Sequence, residues 1–385
     1  MVHRLVPSPA LTPLDFDAIR TELDVPGSFP SEVATAAAAA ARGPDAGLGH
    51  EDRTDLPLVT IDPPGSRDLD QAVALAPRDG GGWRVHYAIA DVAAWVGAGD
   101  PIDLEARSRT QTFYAPDRRT PLHPPALGEA AASLLPDGPR PAALWTIDVA
   151  PDGSTVSVDV RRAMVRSRAQ LTYEQVQADL EAGTAAESLQ PFPDLGAALL
   201  ADSRRRNAIE LGLPEQEVVA GADGHWTVEL RADRAIERWN AQVSLLTGRA
   251  AASLMLDAGI GLLRTLPTPD PDQFPRLQRA AHSLGIEWPD GAHPGTVLAS
   301  LDVSRPRDAA FADLAAELLR GAAYTAFDGT RPADPGHAGV GAPYAHVTAP
   351  LRRLVDRFAT EVCLAVAGGT TPPSWATEAC RPSRP

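Results

Sequence analysis

Lysine is absent from this chain of 385 residues. All 35 basic side chains are arginine, and they face 50 acidic ones, for a formal charge of −15. That balance excludes a general basic coat for a polyanion, although local arginine clusters remain open. Cysteine is nearly absent too. Cys363 and Cys380 alone build neither a disulfide framework nor a thiolate metal site. Long apolar runs are missing: the longest, residues 250–263, is interrupted by Asp257 and is too short to span a bilayer. The opening Met1-Val2-His3-Arg4-Leu5-Val6-Pro7 lacks the apolar core of a secretion signal, so a reducing, cytoplasmic location is expected. Gly80-Gly81-Gly82 is not followed by Lys-Ser/Thr and reads as a turn, not a phosphate-binding loop. No repeat occurs at solenoid periods.

What is present suits a folded protein. Hydrophobic residues make up 44% and charged residues 22%, while 37 Pro and 31 Gly promise many loops. At about 100–200 residues per domain, the length allows one large domain or two. Helices are expected over residues 15–23 and 31–42, the second almost all alanine after Ser31, a plausible N-cap. Residues 43–55 read as a polar linker, so the first 55 residues are expected to be poorly anchored. Strands are expected over 58–61, 72–76 and 83–90, the last two forming a hairpin through Asp79-Gly80-Gly81-Gly82. A helix should follow Asp100, with Pro101 in its first turn. A second hairpin joins 143–149 to 155–165 around Pro151-Asp152-Gly153. Helical periodicity then dominates, over 173–182, 195–211, 236–258, 274–284, 308–324 and 351–367. Strands first and helices later argue for an α+β fold, with a mostly antiparallel or mixed sheet and flanking helices.

The segment Thr60-Ile61-Asp62-Pro63-Pro64-Gly65-Ser66-Arg67-Asp68-Leu69-Asp70-Gln71-Ala72 carries the chemistry. Asp62 ends an apolar strand and Pro63-Pro64-Gly65-Ser66 forces an irregular turn. In extended chain beyond it, Asp68 and Asp70 point to one side and Leu69 to the other. Three carboxylates then converge, and like charges that close raise one another's pKa unless a cation compensates. Oxygen ligands without His or Cys suit Mg²⁺ or Mn²⁺. The same spacing also suits an acidic surface loop of turn-forming aspartates.

This segment resembles the signature of the ribonuclease II / ribonuclease R family catalytic domain, the RNB domain, in which a Thr-Ile-Asp strand is followed by Asp-x-Asp-Asp. The resemblance continues through Tyr87-Ala88-Ile89-Ala90-Asp91-Val92, Phe113-Tyr114-Ala115-Pro116-Asp117-Arg118, Leu134-Leu135-Pro136 and Leu171-Thr172-Tyr173-Glu174-Gln175-Val176. It ends in Gly336-His337-Ala338-Gly339-Val340-Gly341 and Tyr344-Ala345-His346-Val347-Thr348-Ala349-Pro350-Leu351-Arg352-Arg353. It implies a single RNB-type domain over residues 56–367, after a helical extension and linker (1–55) and before a tail (368–385).

It further implies an Mg²⁺-dependent (Mn²⁺ possible in its place) 3′→5′ exoribonuclease that hydrolyses single-stranded RNA to nucleoside 5′-monophosphates. No membrane or obligate protein partner is implied. Asp62, Asp68 and Asp70 fall on the first three positions of the family's aspartate quartet as metal ligands, with Asp70 and Asp68 catalytic. Gln71 occupies the fourth. Tyr114 and Tyr173 match aromatics that line the nucleotide site, where stacking tolerates any base. Arg352 matches the catalytic-site arginine, and Arg353 is a second substrate contact. With Pro350 in a first helical turn, the helix amides and Arg352 would face phosphate, and Arg352 would pair with Asp356 in the absence of substrate. The chain departs from the family at Asn240-Ala241, where a glutamate pair is expected, and near residues 213–218, where a base-stacking phenylalanine has no match. His337 and His346 read as structural histidines. The residues before and after the match are too few for the family's cold-shock and S1 barrels, so weak, salt-sensitive RNA binding is expected. The alternatives are a degenerate RNB module that binds RNA without cutting, and a phosphodiesterase for short oligonucleotides.

Overall fold

Alternation along four strands decides the architecture. In Gln71–Pro77, Trp83–Ala90, Arg140–Val149 and Thr155–Val165, one set of alternate positions is large: Val73, Leu75, Val85, Tyr87, Ile89, Trp145 and Ile147. The other set is small: Ala72, Ala74, Ala88, Ala90, Ala142 and Ala163. Both sets are buried, so this antiparallel sheet is covered on both faces. In the computed structural model, which describes residues 3–5, 15–221 and 226–381, these strands pair in the order 155–165, 140–149, 83–90, 71–77. The short strand Glu51–Asp52 joins the outer edge in parallel with Thr155–Val165. Thr60–Ile61 pairs in parallel with Gln170–Leu171, and a bridge from Val59 to Val73 ties this pair to the sheet. The architecture is α+β, with a mixed sheet flanked by helices.

The large face packs on Phe192–Arg205, the long helix Ala235–Ala258 and Leu354–Ala367, which supply Leu195, Leu199, Val243, Leu246, Phe358 and Val362 to one core. The small face lies in a second buried cluster, which helix Pro101–Arg109, residues 127–135 and one N-terminal helix complete. Ser31–Ala40, itself mostly alanine, buries Val33 and Ala37 there. The expectation of a poorly anchored leader therefore fails for this segment, which packs on helix Pro101–Arg109 and on residues 127–131. Nor does Ser31 cap it; Pro30 holds that position without a side-chain bond. A third core, around Leu277, Phe311 and Leu318, belongs to the helices between residues 274 and 319.

Three helix ends differ from the sequence reading. The helix expected over 195–211 is Phe192–Arg205, ended as Asn207 turns to φ 58°. The helix expected over 308–324 is Pro306–Ala315 plus a 3-10 turn, and after Gly321, at φ 89°, the chain becomes the strand Ala323–Asp328. The last long helix begins at Leu354, not 351, because Arg353 is extended at φ −136°. A hairpin missed in the sequence, Glu215–Ala220 with Trp226–Arg231, pairs with His3–Leu5.

Candidate active site

Asp62 leaves the end of Thr60–Ile61 with its amide donating to Leu171 O at 3.1 Å. The turn that follows needs Gly65, whose φ of 81° is disfavoured for residues with a side chain. Residues 67–70 then run extended under a clamp from buried Ser133. Its hydroxyl donates to Arg67 O at 2.6 Å and accepts from the Leu69 amide at 3.0 Å. Leu69 is fully buried, so the alternation carries Asp68 and Asp70 to the other side.

Asp70 is 4% exposed and anchored twice. Oδ1 accepts the Leu351 amide at 2.8 Å, and Oδ2 lies 3.3 Å from Arg352 Nε. Burial raises its pKa to about 8 against the opposing pull of Arg352 and the Leu351 amide, with Asp356 and Asp68 adding to the rise. The Asp62 side chain makes no hydrogen bond or ion pair among the described residues. Burial raises it to about 6, with Arg352 opposing and Asp68 reinforcing. Asp68 accepts Arg119 Nη1 at 2.5 Å, and Arg119 reaches Glu129 at 2.9 Å with its other nitrogen. The expected convergence is thus partial. Asp68 couples electrostatically to both Asp62 and Asp70, yet among the described residues no three Asp, Glu, His or Cys side chains meet closely enough to share an ion.

The donor set still fits a hard divalent cation in its chemistry. A buried and a half-buried carboxylate held above their ordinary pKa, and one claimed by a surface-side arginine, form a field that a dication would relieve. Gln71 does not belong to that set. Its Oε1 accepts the Tyr87 hydroxyl and its Nε2 donates to Thr348 O at 2.7 Å, which leaves the amide occupied as a strut between sheet and loop.

The arginine assignments need one correction. Arg352 does not pair with Asp356, because residues 350–353 form a turn before the helix and the i,i+4 relation never arises. Asp356, fully buried, instead takes Arg353 in a two-pronged pair at 2.9 and 2.8 Å, together with the Ala349 amide at 2.6 Å. Arg352 is left facing Asp70. The helix N-terminus is displaced from Pro350 for the same reason.

Tyr114 stands 62% exposed on the hairpin Phe113–Tyr114/Arg119–Thr120, directly opposite Arg119, and within the field of Asp68, Asp70 and Arg352. Two joints fix this hairpin. The Thr112 amide donates to Arg352 O and the Leu354 amide to Thr110 O, each at 2.9 Å. From the other side, helix Phe16–Glu22 grips its turn through Arg20–Asp117 at 2.8 Å and Arg118–Asp17 at 2.7 Å. Tyr173 opens helix Tyr173–Ala182, accepts Asn240 Nδ2 at 3.4 Å, and is pushed up to about 12 by burial and by Asp62. Asn240, where an acid was expected, holds this phenol. Sequence reasoning missed Arg119; the turn signal Pro116-Asp117 places it across from Tyr114 once a hairpin is drawn.

The RNB domain profile matches residues 50–365. The chain belongs to the RNB-domain family. It is 27% identical over 356 residues to ribonuclease R of Thermotoga maritima, covering 88% of this chain and 49% of that protein. Its fold matches Mycoplasma genitalium RNase R in complex with ribose-methylated single-stranded RNA (TM-score 0.79, 22% identity, 90% of this chain, 56% of that one). It also matches yeast Ssd1, a pseudonuclease (TM-score 0.68, 16% identity, 88% and 44%). The chain spans about half the length of these relatives. Among the described residues, no helix of this RNB domain is long and apolar enough to cross a membrane.

Proposed function

We propose that this chain is a divalent-metal-dependent 3′→5′ exoribonuclease that hydrolyses single-stranded RNA to nucleoside 5′-monophosphates. One observation carries the reading. Arg352, on the turn before the last long helix, meets buried Asp70 from the catalytic segment, with Asp62, Asp68, Tyr114 and Tyr173 in the same field. Asp62, Asp68 and Asp70 would hold Mg²⁺ or Mn²⁺, which when bound supplies Lewis-acid charge neutralisation and an activated water. Arg352 lies beside the carboxylates with its side chain 45% exposed, available to clamp a phosphate oxygen. Arg353 is held on Asp356 and supports the turn that aims Arg352. Tyr114 would offer its exposed ring to the terminal base, and Tyr173, in the field of Asp62 and Arg352, would line the same nucleotide site. Arg119, paired with Asp68 here, would be a further guanidinium for the substrate's phosphates.

The test is incubation of 5′-end-labelled single-stranded RNA with Mg²⁺, with and without chelator. Stepwise release of mononucleotides, stopped by chelator and by Asp70→Asn, supports the reading; uncut RNA overturns it. A second reading, an RNA-binding module without cutting, is favoured by Gln71 at the fourth acidic position and by the arginine seated on Asp68. Retention of intact RNA in the same assay would identify it. A rate on dinucleotides matching that on longer oligomers would identify a short-oligonucleotide phosphodiesterase.

A further inference from the structure

Among the described residues, Tyr114 and Tyr324 are the two aromatics classed with the exposed large side chains, at 62% and 47%. Tyr114 belongs to the site above. Tyr324, on strand Ala323–Asp328, has no such assignment, yet its ring is held as firmly as a binding group would be. Its cross-strand partner Arg264, on Ile260–Thr265, places its guanidinium 4.8 Å from the ring centroid. Its hydroxyl meets His346 Nδ1 at 2.8 Å. Behind His346 stand Tyr344, edge-on at 5.5 Å, and His337, 5.6 Å from Tyr344. Burial, then Arg353, lowers the His346 pKa to about 4, so the imidazole is neutral near pH 7 and its bond to the tyrosine hydroxyl joins two uncharged groups.

The place of this ring relates it to the aspartates. His346 opens the segment that ends at Leu351, whose amide holds Asp70. Five residues of even fully extended chain reach only about 18 Å, which a few nucleotides of unpaired strand can bridge. The ion pair Arg353–Asp356 acts electrostatically on both Tyr324 and Asp70, so the ring and the aspartate lie around one pair of charges. The surroundings are polar, with Arg264, His346 and the Arg353–Asp356 pair, and among the described residues strand Ala323–Asp328 exposes no other large hydrophobic side chain. That is unlike the contiguous apolar patch a protein partner would require.

We propose that Tyr324, braced by Arg264 and His346, is a stacking platform for an unpaired RNA base, a few nucleotides upstream of the residue that reaches Asp70. The platform rests on the reading of the chain as a single-strand exoribonuclease. It would give a protein with no basic coat a sequence-tolerant grip on the strand.

The test uses the full chain carrying Asp70→Asn, so that RNA is bound and not consumed, and single strands with 2-aminopurine at successive positions from the 3′ end. Tyr324→Ala is expected to raise Kd about 5- to 100-fold and to relieve 2-aminopurine quenching at one upstream position, without change at the 3′-terminal base. Tyr324→Phe keeps the ring and should stay within about twofold of the parent. In the cleaving protein, Tyr324→Ala should raise KM for long strands and leave kcat in place. Unchanged Kd and quenching in Tyr324→Ala would overturn the platform. Equal losses in Tyr324→Ala and Tyr324→Phe, with matching circular dichroism, would overturn it too, since the hydroxyl bond to His346 would then be the whole role. Failure of the Tyr324-bearing parent to bind any single strand would defeat the enzymatic reading itself, a distinguishable result.

Discussion

Removing the charge of Asp70 should make the metal-free protein less sensitive to alkali. Asp70 is almost fully buried and titrates in the folded protein at about 8, against 3.8 for the ordinary carboxyl. A group with a raised folded pKa binds more protons in the native state, so its contribution to stability is present at low pH and disappears as pH climbs to the folded pKa. The window is about pH 4 to 8, and above it both states are ionised and the loss is complete. Between pH 6.5 and 8 the change is roughly 1.5 pKa units, about 2 kcal/mol at 1.36 kcal/mol per unit. This upper window separates Asp70 from Asp62, whose loss is nearly complete by about pH 6, and from His123 and His346, lowered to about 4 by burial. Asp70→Asn keeps an oxygen for the Leu351 amide while deleting the titration. Chemical denaturation in chelator at pH 6.5 and 8.5 should therefore show the wild type losing about 2 kcal/mol more than the variant. Added Mg²⁺ should return most of that difference at pH 8.5 in the wild type alone. Parallel pH profiles for the two proteins would refute the reasoning.

Further outcomes follow from particular contacts. Arg352→Lys keeps charge but loses the planar fork, and kcat on single-stranded RNA should fall about 100-fold or more with the Mg²⁺ requirement unchanged. Arg119→Met frees Asp68 and should lower the Mg²⁺ concentration that half-saturates nucleotide release; a higher requirement would contradict the competition drawn at Asp68. Gln71→Leu removes a buried partner from the Tyr87 hydroxyl, leaving it Ser244, and strands the Thr348 carbonyl, and should cost about 1–3 kcal/mol in denaturant unfolding. Ala37→Leu overfills a fully buried site and should destabilise by about 1–3 kcal/mol. A neutral effect there would mean that the N-terminal helix is not docked.

The strands of the main sheet were legible because alternation and turn chemistry agree: Trp83–Ala90 and the turn at Pro151-Asp152-Gly153 lie where the sequence puts them. The second cover of the sheet was not legible. An alanine run reads as a featureless helix until helix Pro101–Arg109 and residues 127–131 appear opposite it, and that pairing is tertiary. Besides the helix that ends at Arg205, periodicity carried two more too far, through Gly321 into Tyr324 and back from Leu354 to residue 351. The last overrun moved Arg352 from a helix surface to a turn and gave its expected partner to Arg353. In the site, the order of Asp62, Asp68 and Asp70 was plain from spacing and resemblance. The occupation of Gln71 by Tyr87 and Thr348, and of Asp68 by Arg119, depends on residues 16 to 277 positions away, which no local pattern records.

The most direct measurement of the central claim is the product ladder from 5′-end-labelled single-stranded RNA in Mg²⁺, for the wild type and Asp70→Asn side by side. Progressive shortening with mononucleotide release by the wild type only is the expected result. Undegraded RNA with the wild type, or equal shortening by both proteins, would contradict a catalytic centre built on Asp70 and Arg352.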